Sequence, residues 1–294
     1  MRFATFRRGD STGLAAAAPG GGFHGLLATD ANFPGTLDSL VAAGPEALKA
    51  AGQALLSAPA VSLESVELLP PLTNPGKIIC VGLNYADHSA ESGFAVPSYP
   101  TIFARFTSSL IGHGAPILRP VVSEQLDFEG EFVAVIGRGG RHIAKDAALD
   151  HVIGYSVFND ASVRDFQLKA PQWTVGKNFD STGAFGPTLV TADEVPPGAR
   201  GLRIETRLNG QVVQSASTDS LIFDVATLIS TLSEAFTLSA GDIIVTGTPA
   251  GVGLARKPPL WMKPGDVCEV EVEGLGILSN PIKDEAAVGQ RAAA

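Results

Sequence analysis

The first seventy residues mix strand-like and helix-like patterns of apolar and polar positions. Residues 2–7 alternate apolar and polar side chains, which predicts a β-strand, and residues 61–69 repeat that alternation. Residues 46–56 are rich in Ala and Leu, which predicts a helix. Pro45 precedes them, and proline suits the first turn of a helix. The Pro-rich segment 70–75 is stiff, and this mixture of strand and helix patterns ends there. It therefore predicts a domain boundary.

Beyond that boundary the chain is dominated by short apolar segments of strand length. Strands are predicted at 77–83, 101–105, 127–136, 152–159, 188–190, 202–208, 211–217, 242–245, 266–272 and 275–279. Asn209-Gly210 lies between two of them and predicts a tight hairpin, because both residues tolerate a positive φ. A helix is predicted over 218–238, where apolar residues recur at helical spacing at Leu221, Val225, Leu228 and Leu232.

These patterns predict a strand-rich α+β protein in two parts. Residues 1–70 would form a small N-terminal α+β domain, and residues 71–294 a larger β-rich domain that carries the chemistry. The 33 Gly and 20 Pro of the chain agree with many strands and turns rather than a helix bundle.

Composition narrows the class of protein. Hydrophobic residues make up 45% of the 294 residues, which excludes a disordered chain. A net charge of −9 argues against a nucleic-acid-binding protein. No apolar run is long enough for a membrane span, and the start of the chain is too polar for a signal peptide. Two cysteines, Cys80 and Cys268, cannot form a disulfide framework, and a cytoplasmic location is expected.

Acidic residues gather on two of the predicted strands. Asp127, Glu129 and Glu131 alternate along one strand, so they should share a face at steps of about 6.6–6.8 Å. Asp160 ends the next apolar strand and could complete a cluster with Glu129 and Glu131. Oxygen ligands of this kind favour Mg²⁺ or Mn²⁺. The alternatives are the solvated face of an edge strand and, for Asp160, a helix N-cap.

A histidine and a glutamate follow the strand at residues 77–83. His88 and Glu91 are three residues apart, so on a helix they would lie on one face and form a hydrogen bond. A histidine oriented by a carboxylate can act as a general base. The alternative is an ordinary solvated pair on the protein surface.

Two further segments could bind an anion. Lys177 lies among Gly, Phe and Trp residues and could hold an anionic substrate or stabilise an oxyanion, or it could be an ordinary loop lysine. The segment 246–253 follows a strand, and its glycines could expose backbone N–H groups to a carboxylate or simply form a tight turn. The chain contains no HExxH or CxxC motif and no GxSxG nucleophile elbow, because its match to that pattern at Gly9–Gly13 is not followed by a predicted helix. The hydrolases that depend on these motifs are therefore disfavoured.

Taken in order, these segments resemble the fumarylacetoacetate hydrolase family over residues 70–283, in particular the branch with a short N-terminal domain. The resemblance rests on the segment 77–88, the pair Glu129-Gly-Glu131, and three longer motifs. These motifs are Asp160-x-x-x-Arg164-Asp165-x-Gln167, Trp173-x-x-x-Lys177-x-Phe-Asp180 and Gly241-Asp-Ile-Ile-Val-Thr-Gly-Thr-Pro-x-Gly-Val-Gly253.

The resemblance implies a mixed β-roll catalytic domain in a homodimer that contains one Mg²⁺ or Mn²⁺ per subunit. It implies that Glu129, Glu131 and Asp160 hold the metal and that His88 with Glu91 activates water. Lys177 would contact the substrate or its developing oxyanion, and a segment at 92–99 would close over the site as a lid. The substrate-binding residues implied are Tyr85, Arg164, Gln167, Gly247 and Thr248.

The function expected from this resemblance is metal-dependent hydrolysis of a carbon–carbon bond in a 2,4-dioxo acid, such as an acylpyruvate or fumarylpyruvate. The products would be pyruvate, or a related 2-oxo acid, and a carboxylic acid. The alternative is a decarboxylase or isomerase of an oxaloacetate-like or unsaturated 2-oxo diacid, which needs the same cation and the same enolate. A different class, a non-catalytic metal- or ligand-binding protein, predicts that His88, Glu91 or Lys177 faces away from the acidic cluster.

Overall fold

The structure is a computed structural model that describes residues 1–91, 93 and 95–286 of the chain. For residues 89 and 90 it describes the backbone alone. Its helices are α1 Leu37–Ala43, α2 Pro45–Leu55, α3 Ala86–Glu91, α4 Arg164–Gln167 and α5 Val225–Ala235. Short 3₁₀ turns lie at Leu63–Ser65, Thr107–Ser109, Lys145–His151, Ala192–Glu194, Pro197–Ala199, Thr218–Ser220 and Gly253–Ala255. Across the described residues, no helix combines the length and the apolar character that a membrane crossing requires.

Strands make up most of the regular structure. The first nine are β1 Arg2–Arg8, β2 Ser11–Ala17, β3 Phe23–Leu27, β4 Ala60–Val61, β5 Glu67–Leu68, β6 Ile78–Gly82, β7 Thr101–Arg105, β8 Leu110–Ile111 and β9 Ile117–Arg119. The next five are β10 Leu126–Asp127, β11 Gly130–Ile136, β12 Val152–Asp160, β13 Ser162–Val163 and β14 Gly183–Thr191. The last five are β15 Arg203–Leu208, β16 Gln211–Ser217, β17 Ile243–Val245, β18 Val267–Val272 and β19 Gly276–Asp284.

One large sheet forms the centre of the fold. In the described part of the chain its strands follow the order β4-β3-β2-β1-β14-β12-β11-β17-β6-β7, with β5 beside β1 and β8 beside β14. β11 and β12 are antiparallel neighbours, and β17 runs parallel to β6. This order brings the ends of β6, β7, β11, β12 and β17 to one region of the sheet.

A second sheet packs near the first. Its described strands follow the order β16-β15-β18-β19-β9, with β18 spanning Val267–Val272, and β10 pairs separately with β13. The β15–β16 hairpin turns at Asn209 and Gly210, whose φ angles are 52° and 77°. The tight turn predicted from these two residues is therefore confirmed.

Strand β11 of the large sheet is buried on both of its faces, which explains its continuous apolar run. Phe132, Ala134 and Ile136 pack into a core shared with β15, β18 and α5. Val133 and Val135 point to the opposite side and pack into a core with the residues of α1 and α2. This two-sided burial holds β11, and with it Glu131, in a fixed position.

The N-terminal residues share both a sheet and a core with later residues. β1 pairs with β14 in a register that places Phe3 opposite Leu189. Phe3 and Leu14 belong to the same buried cluster as Phe158 and Leu189. The boundary at residue 70 stays a prediction, and the structure shows that the strands before it extend the large sheet.

Two predicted elements differ from the observed ones. The strand predicted over 127–136 is interrupted between Asp127 and Gly130, so Asp127 does not continue the alternation of Glu129 and Glu131. The helix predicted over 218–238 is observed only at Val225–Ala235. The predicted fold class, a strand-rich α+β protein, is confirmed.

Candidate active site

Three buried carboxylates meet where β11 and β12 lie side by side. Glu131 is the second residue of β11, Glu129 lies just before this strand, and Asp160 ends β12. The Asp160 N–H donates to the Glu129 carbonyl at 2.9 Å, so the two residues lie opposite each other across the strands. One oxygen from each of the three side chains lies within 4.8 Å of the others. Glu129, Glu131 and Asp160 therefore form one cluster, which we call the acidic triad.

Asp127 lies outside the acidic triad, contrary to the prediction of a shared face. Its carboxylate accepts hydrogen bonds from the backbone N–H groups of Phe128, Gly253 and Leu254 at 2.7–2.9 Å. It also accepts from Arg164 Nε at 2.7 Å. The break in the strand after Asp127 allows this different direction.

Two cations neutralise part of the acidic triad. Lys177 Nζ lies 2.6 Å from Glu129 Oε2 and 2.7 Å from Asp160 Oδ2. Arg164 Nη1 lies 2.7 Å from Glu129 Oε1. Burial would lower the pKa of Lys177, but the charges of Asp160 and Glu129 outweigh burial and raise it. Burial would raise the pKa of Glu129, but the charges of Lys177 and Arg164 outweigh it and lower that pKa.

A third cation, Arg105, lies beside Asp160. Its guanidinium donates through Nη1 to Asp160 Oδ1 and through Nη2 to Thr182 Oγ1. The three cations and three of the acids thus form an alternating chain of buried charges, in the order Asp127, Arg164, Glu129, Lys177, Asp160 and Arg105. We call this arrangement the charge chain.

Glu131 is left outside the charge chain. Its carboxylate accepts a hydrogen bond from the Gly247 N–H, and no ion pair joins it to a described cation. Burial raises the pKa of Glu131 well above its usual value, and the charges of Asp160 and Glu129 raise it further. Glu131 is therefore a buried acid whose charge no described cation neutralises, and it lies next to the carboxylate oxygens of Glu129 and Asp160.

This donor set fits a divalent cation. The acidic triad offers oxygen ligands alone, the chemistry that Mg²⁺ and Mn²⁺ prefer over Zn²⁺. A cation would supply the positive charge that Glu131 lacks. The residues that would hold it are Glu129, Glu131 and Asp160.

His88 and Glu91 lie on α3 and form the predicted pair. His88 Nδ1 lies 2.9 Å from Glu91 Oε1, and the Glu91 carboxylate also accepts from the Gly251 N–H at 2.9–3.0 Å. When Nδ1 carries the proton and donates it to Glu91, Nε2 is left free to accept a proton. His88 is 7% exposed, so this imidazole is largely removed from bulk water.

A cavity of about 280 Å³ joins these groups. Polar side chains that line it are His88, Glu91, Glu129, Glu131, Arg164, Gln167, Lys177 and Thr248. Apolar side chains that line it are Val81, Leu83, Phe103, Leu168, Trp173, Val252, Leu254 and Ala255. The candidate catalytic residues and most of the candidate binding residues therefore surround one space.

Arg164 lines this cavity and has one guanidinium nitrogen without a partner among the described residues. Its Nε and Nη1 contact Asp127, Glu129 and Gln167, the last at 2.8 Å. Its Nη2 is buried and has no hydrogen-bond partner within the described residues. A ligand carboxylate in the cavity would satisfy this N–H group.

Two of the predicted binding residues are placed differently. Tyr85 is buried and lines a separate cavity with Asp87, Ser220 and Pro249. The Gly247 N–H already donates to Glu131, and the glycine does not line the main cavity in the described structure. Their roles in binding substrate stay predictions. The lid predicted at 92–99 includes residues 92 and 94, which lie outside the described residues.

Sequence analysis missed Arg105, which no motif marks. The alternation of β7 did contain a signal, because Phe103 and Arg105 share one face of that strand. Phe103 lines the cavity, and its ring centroid lies 4.9 Å from Lys177 Nζ. An arginine on the same face as an apolar residue would have been expected to need a buried acid as partner.

Comparison with known proteins places this geometry in a family. The chain is 42% identical over 289 residues to the mitochondrial oxaloacetate tautomerase of Xenopus laevis, a match that covers 96% of this chain and 90% of that protein. Because the Xenopus protein is mitochondrial, the cytoplasmic location expected here is not confirmed and stays a prediction.

Solved structures give the same result. A fumarylacetoacetate hydrolase from Exiguobacterium antarcticum superimposes with a TM-score of 0.83 at 37% identity, covering 97% of this chain and 100% of that chain. The 5-carboxymethyl-2-hydroxymuconate delta-isomerase of Mycobacterium smegmatis gives a TM-score of 0.76 at 30% identity, covering 98% and 100%. The model of the fumarylacetoacetate (FAA) hydrolase C-terminal family matches residues 77–283. The resemblance found in the sequence is confirmed, and the chain belongs to the fumarylacetoacetate hydrolase family.

Proposed function

We propose that this protein is an isomerase that interconverts the keto and enol forms of an oxaloacetate-like 2-oxo diacid. The observation that carries the proposal is that the His88–Glu91 pair lines the same cavity as Lys177 and as Glu129 and Glu131 of the acidic triad. The name of the Xenopus relative, an oxaloacetate tautomerase, supports this reaction over the hydrolysis expected from the sequence.

Different residues of the cavity would carry out the proton transfer and the charge stabilisation that this reaction needs. His88, held by Glu91, would take a proton from the carbon next to the keto group. The electron pair left on that carbon shifts to the keto oxygen, where Lys177 offers a buried positive charge. Protonation of that oxygen completes the enol, so no water is consumed and the mass is unchanged.

Binding of a diacid requires two anion sites. When bound, a divalent cation at the acidic triad would act as a Lewis acid beside the 2-oxo carboxylate. The buried Arg164 Nη2, which has no partner among the described residues, would receive the second carboxylate of the substrate. Gln167 holds Arg164 through Nη1 at 2.8 Å and so fixes the direction of the guanidinium.

The test is a keto–enol assay on oxaloacetate, followed by enol absorbance, with variants of His88. We expect His88→Ala to lower kcat by about 100- to 10,000-fold, the usual contribution of a general base. Mn²⁺ binding should persist, because His88 is not part of the acidic triad. Asp87→Ala, an exposed change on the same helix, serves as the control and should retain full activity.

Product analysis separates the candidate reactions. Unchanged mass supports the isomerase, carbon dioxide release indicates decarboxylation, and two carboxylic acids indicate hydrolysis of a 2,4-dioxo acid. Full activity after thorough treatment with EDTA would exclude the cation, and a fully active His88→Ala variant would exclude the base.

Hydrolysis is the second candidate, and the same His88–Glu91 pair favours it. A base that takes a proton from carbon in one substrate can take it from water in another, which would then attack the distal carbonyl of an acylpyruvate. The resemblance also supports a homodimer with one Mg²⁺ or Mn²⁺ per subunit. Sedimentation of the protein and titration with each cation would test that stoichiometry.

A further inference from the structure

Arg105 uses every nitrogen of its guanidinium in the protein interior. Nε donates to Ser109 Oγ at 3.2 Å, and Nη2 donates to Thr182 Oγ1 at 2.7 Å. Nη1 donates to Asp160 Oδ1 and to the Ala161 carbonyl at 3.3 Å. The side chain is fully buried. Its orientation is therefore fixed by neighbours from several segments of the chain.

Neighbouring residues also restrict the position of the guanidinium. Its Cζ lies 5.7 Å from the centroid of the Phe158 ring. On another side Gly183 approaches so closely that a Cβ there would lie 3.0 Å from Nε. Packing and hydrogen bonds thus agree on one direction for the Arg105 side chain.

Asp160 is in turn fixed at both of its oxygens. Oδ1 accepts from Arg105, and Oδ2 accepts from Lys177 at 2.7 Å. Lys177 lines the active-site cavity, whereas Arg105 is not among the described residues that line it. Arg105 therefore contacts a member of the acidic triad without reaching the space that a substrate would occupy.

We propose that Arg105 is a positioning residue for the cation site: it holds the Asp160 carboxylate in the direction in which an oxygen faces Glu129 and Glu131. The proposal rests on the cation binding described under the proposed function. A carboxylate held before the cation arrives loses less rotational freedom on binding, so the affinity for the cation is higher.

The shape of arginine matters for this role. The planar fork of the guanidinium reaches Ser109, Asp160 and Thr182 at the same time, and the single ammonium of lysine cannot reproduce that set. Arg105→Lys would keep the charge beside Asp160 and lose the fixed direction. Comparison of Arg105→Lys with Arg105→Gln therefore separates direction from charge.

The experiment measures Mn²⁺ affinity by calorimetry and by the electron paramagnetic resonance signal of free Mn²⁺, on full-length protein. We expect the Mn²⁺ dissociation constant to rise by about 10- to 100-fold in Arg105→Gln, the usual effect of removing such a partner of a metal ligand. Arg105→Lys should show a smaller rise in the same direction. Activity of the folded variants should recover as Mn²⁺ is raised, which a purely structural defect would not produce.

Controls separate positioning from folding. Arg119→Gln removes an exposed arginine–aspartate pair, the 2.8 Å contact with Asp284, and should leave Mn²⁺ affinity unchanged. Thr182→Val keeps the Arg105–Asp160 contact but removes one anchor of the guanidinium, so it should weaken Mn²⁺ binding modestly. This variant tests the proposal even if the Arg105 variants fail to fold.

Two outcomes would overturn the proposal. A folded Arg105→Gln protein with wild-type Mn²⁺ affinity would overturn it, and so would unchanged affinity in Thr182→Val if the Arg105 variants do not fold. Both results leave the proposed function intact, because wild-type protein still binds the cation. Wild-type protein that binds no Mn²⁺ would instead overturn the cation site itself, and the role of Arg105 with it.

Discussion

At the residue scale, the main feature of the site is the balance between its buried negative and positive charges. Three acids and three cations alternate along the charge chain and neutralise one another without contact with bulk water. Such pairs lose much solvation on burial, so each charge needs a partner close by. Glu131 is the acid to which the described residues give no such partner. Its burial is therefore not compensated by a cation in the metal-free protein.

We expect Glu131→Gln to stabilise the metal-free protein by about 1–3 kcal/mol at neutral pH, because it removes the cost of a buried carboxylate. The raised pKa of Glu131 means that wild-type stability falls as pH rises above the unfolded pKa of that acid, and the variant lacks this fall. Urea unfolding in EDTA between pH 5 and about 8 measures the difference.

The exposed Glu234→Gln is the control for this change and should leave stability unaltered at each pH. Mn²⁺ binding should be lost in Glu131→Gln and kept in Glu234→Gln. A metal-free Glu131→Gln protein that is less stable than wild type would contradict the charge balance described here.

The acidic triad could be predicted from sequence because its spacing follows from strand geometry. Glu129 and Glu131 are two residues apart, and Asp160 ends the neighbouring strand. The prediction that Asp127 shares their face is wrong, because Asp127 accepts hydrogen bonds from the backbone of Gly253 and Leu254, in a loop far along the chain. Arg105 escaped prediction for the same reason, because its partner is 55 residues away.

At the scale of elements, tertiary contacts decide where α5 begins. The helical spacing of apolar residues starts at Leu221, but the N–H groups of Ile222 and Phe223 donate to Asn84 at 2.8 Å. Those groups are therefore engaged outside a helix. The helix starts after Asp224, whose side chain accepts from the Thr227 N–H at 2.8 Å. Periodicity predicts the helix, and the competing partners of its first residues set its length.

We expect Asp224→Ala to destabilise the protein by about 1 kcal/mol, the usual cost of removing an N-cap. The carboxylate of Asp224 accepts from both the N–H and the hydroxyl of Thr227, so both bonds are lost. Urea unfolding at pH 7 measures the change. Asp219→Ala is the control, because this exposed residue pairs with the exposed Arg200 and should cost less than about 0.5 kcal/mol. Equal effects of the two changes would contradict the assignment of Asp224 as the cap.

At the scale of the whole molecule, strand pairing crosses the predicted domain boundary. The Pro-rich segment at 70–75 predicts two domains, and β1, which precedes it, extends the large sheet beside β14. Local patterns identify the strands of residues 1–70, and the pairing partner of β1 lies nearly two hundred residues later. Such long-range pairing leaves no periodic signal in a single sequence.

We expect residues 71–294 alone to fail to fold as a stable unit, because removal of β1 exposes the edge of β14 and uncovers Phe158 and Leu189. Circular dichroism and thermal unfolding of this fragment measure the effect. A full-length chain cleaved at an engineered protease site in the exposed loop near Gly21 is the control, and it should keep its fold. A fragment that unfolds cooperatively at the wild-type temperature would show that the boundary separates independent domains.

Acid should destabilise the protein through carboxylates that are well bonded in the folded state. Bonds from Asn209 and Lys263 outweigh burial and lower the pKa of Asp266, and the bond from Arg207 lowers that of Glu271. Their contribution is present above the unfolded pKa values and is lost as pH falls below about 4. Unfolding free energy measured from pH 6 to pH 2 should therefore decrease over this range, and less steeply in Asp266→Asn. Equal slopes in the two proteins would contradict the role of Asp266.

The loop between β17 and the turn at Gly253 contacts the site through its main chain. N–H groups of Gly247, Gly251 and Gly253 hold Glu131, Glu91 and Asp127. Main-chain donors are the same whatever side chains the loop carries. Two apolar side chains that reach the cavity from this region, Val252 and Leu254, can therefore differ without loss of these main-chain bonds, whereas Thr248 lines the cavity and also donates to the Gly130 carbonyl. Descendants of one ancestral enzyme can in this way acquire new substrate preferences without rebuilding their chemistry.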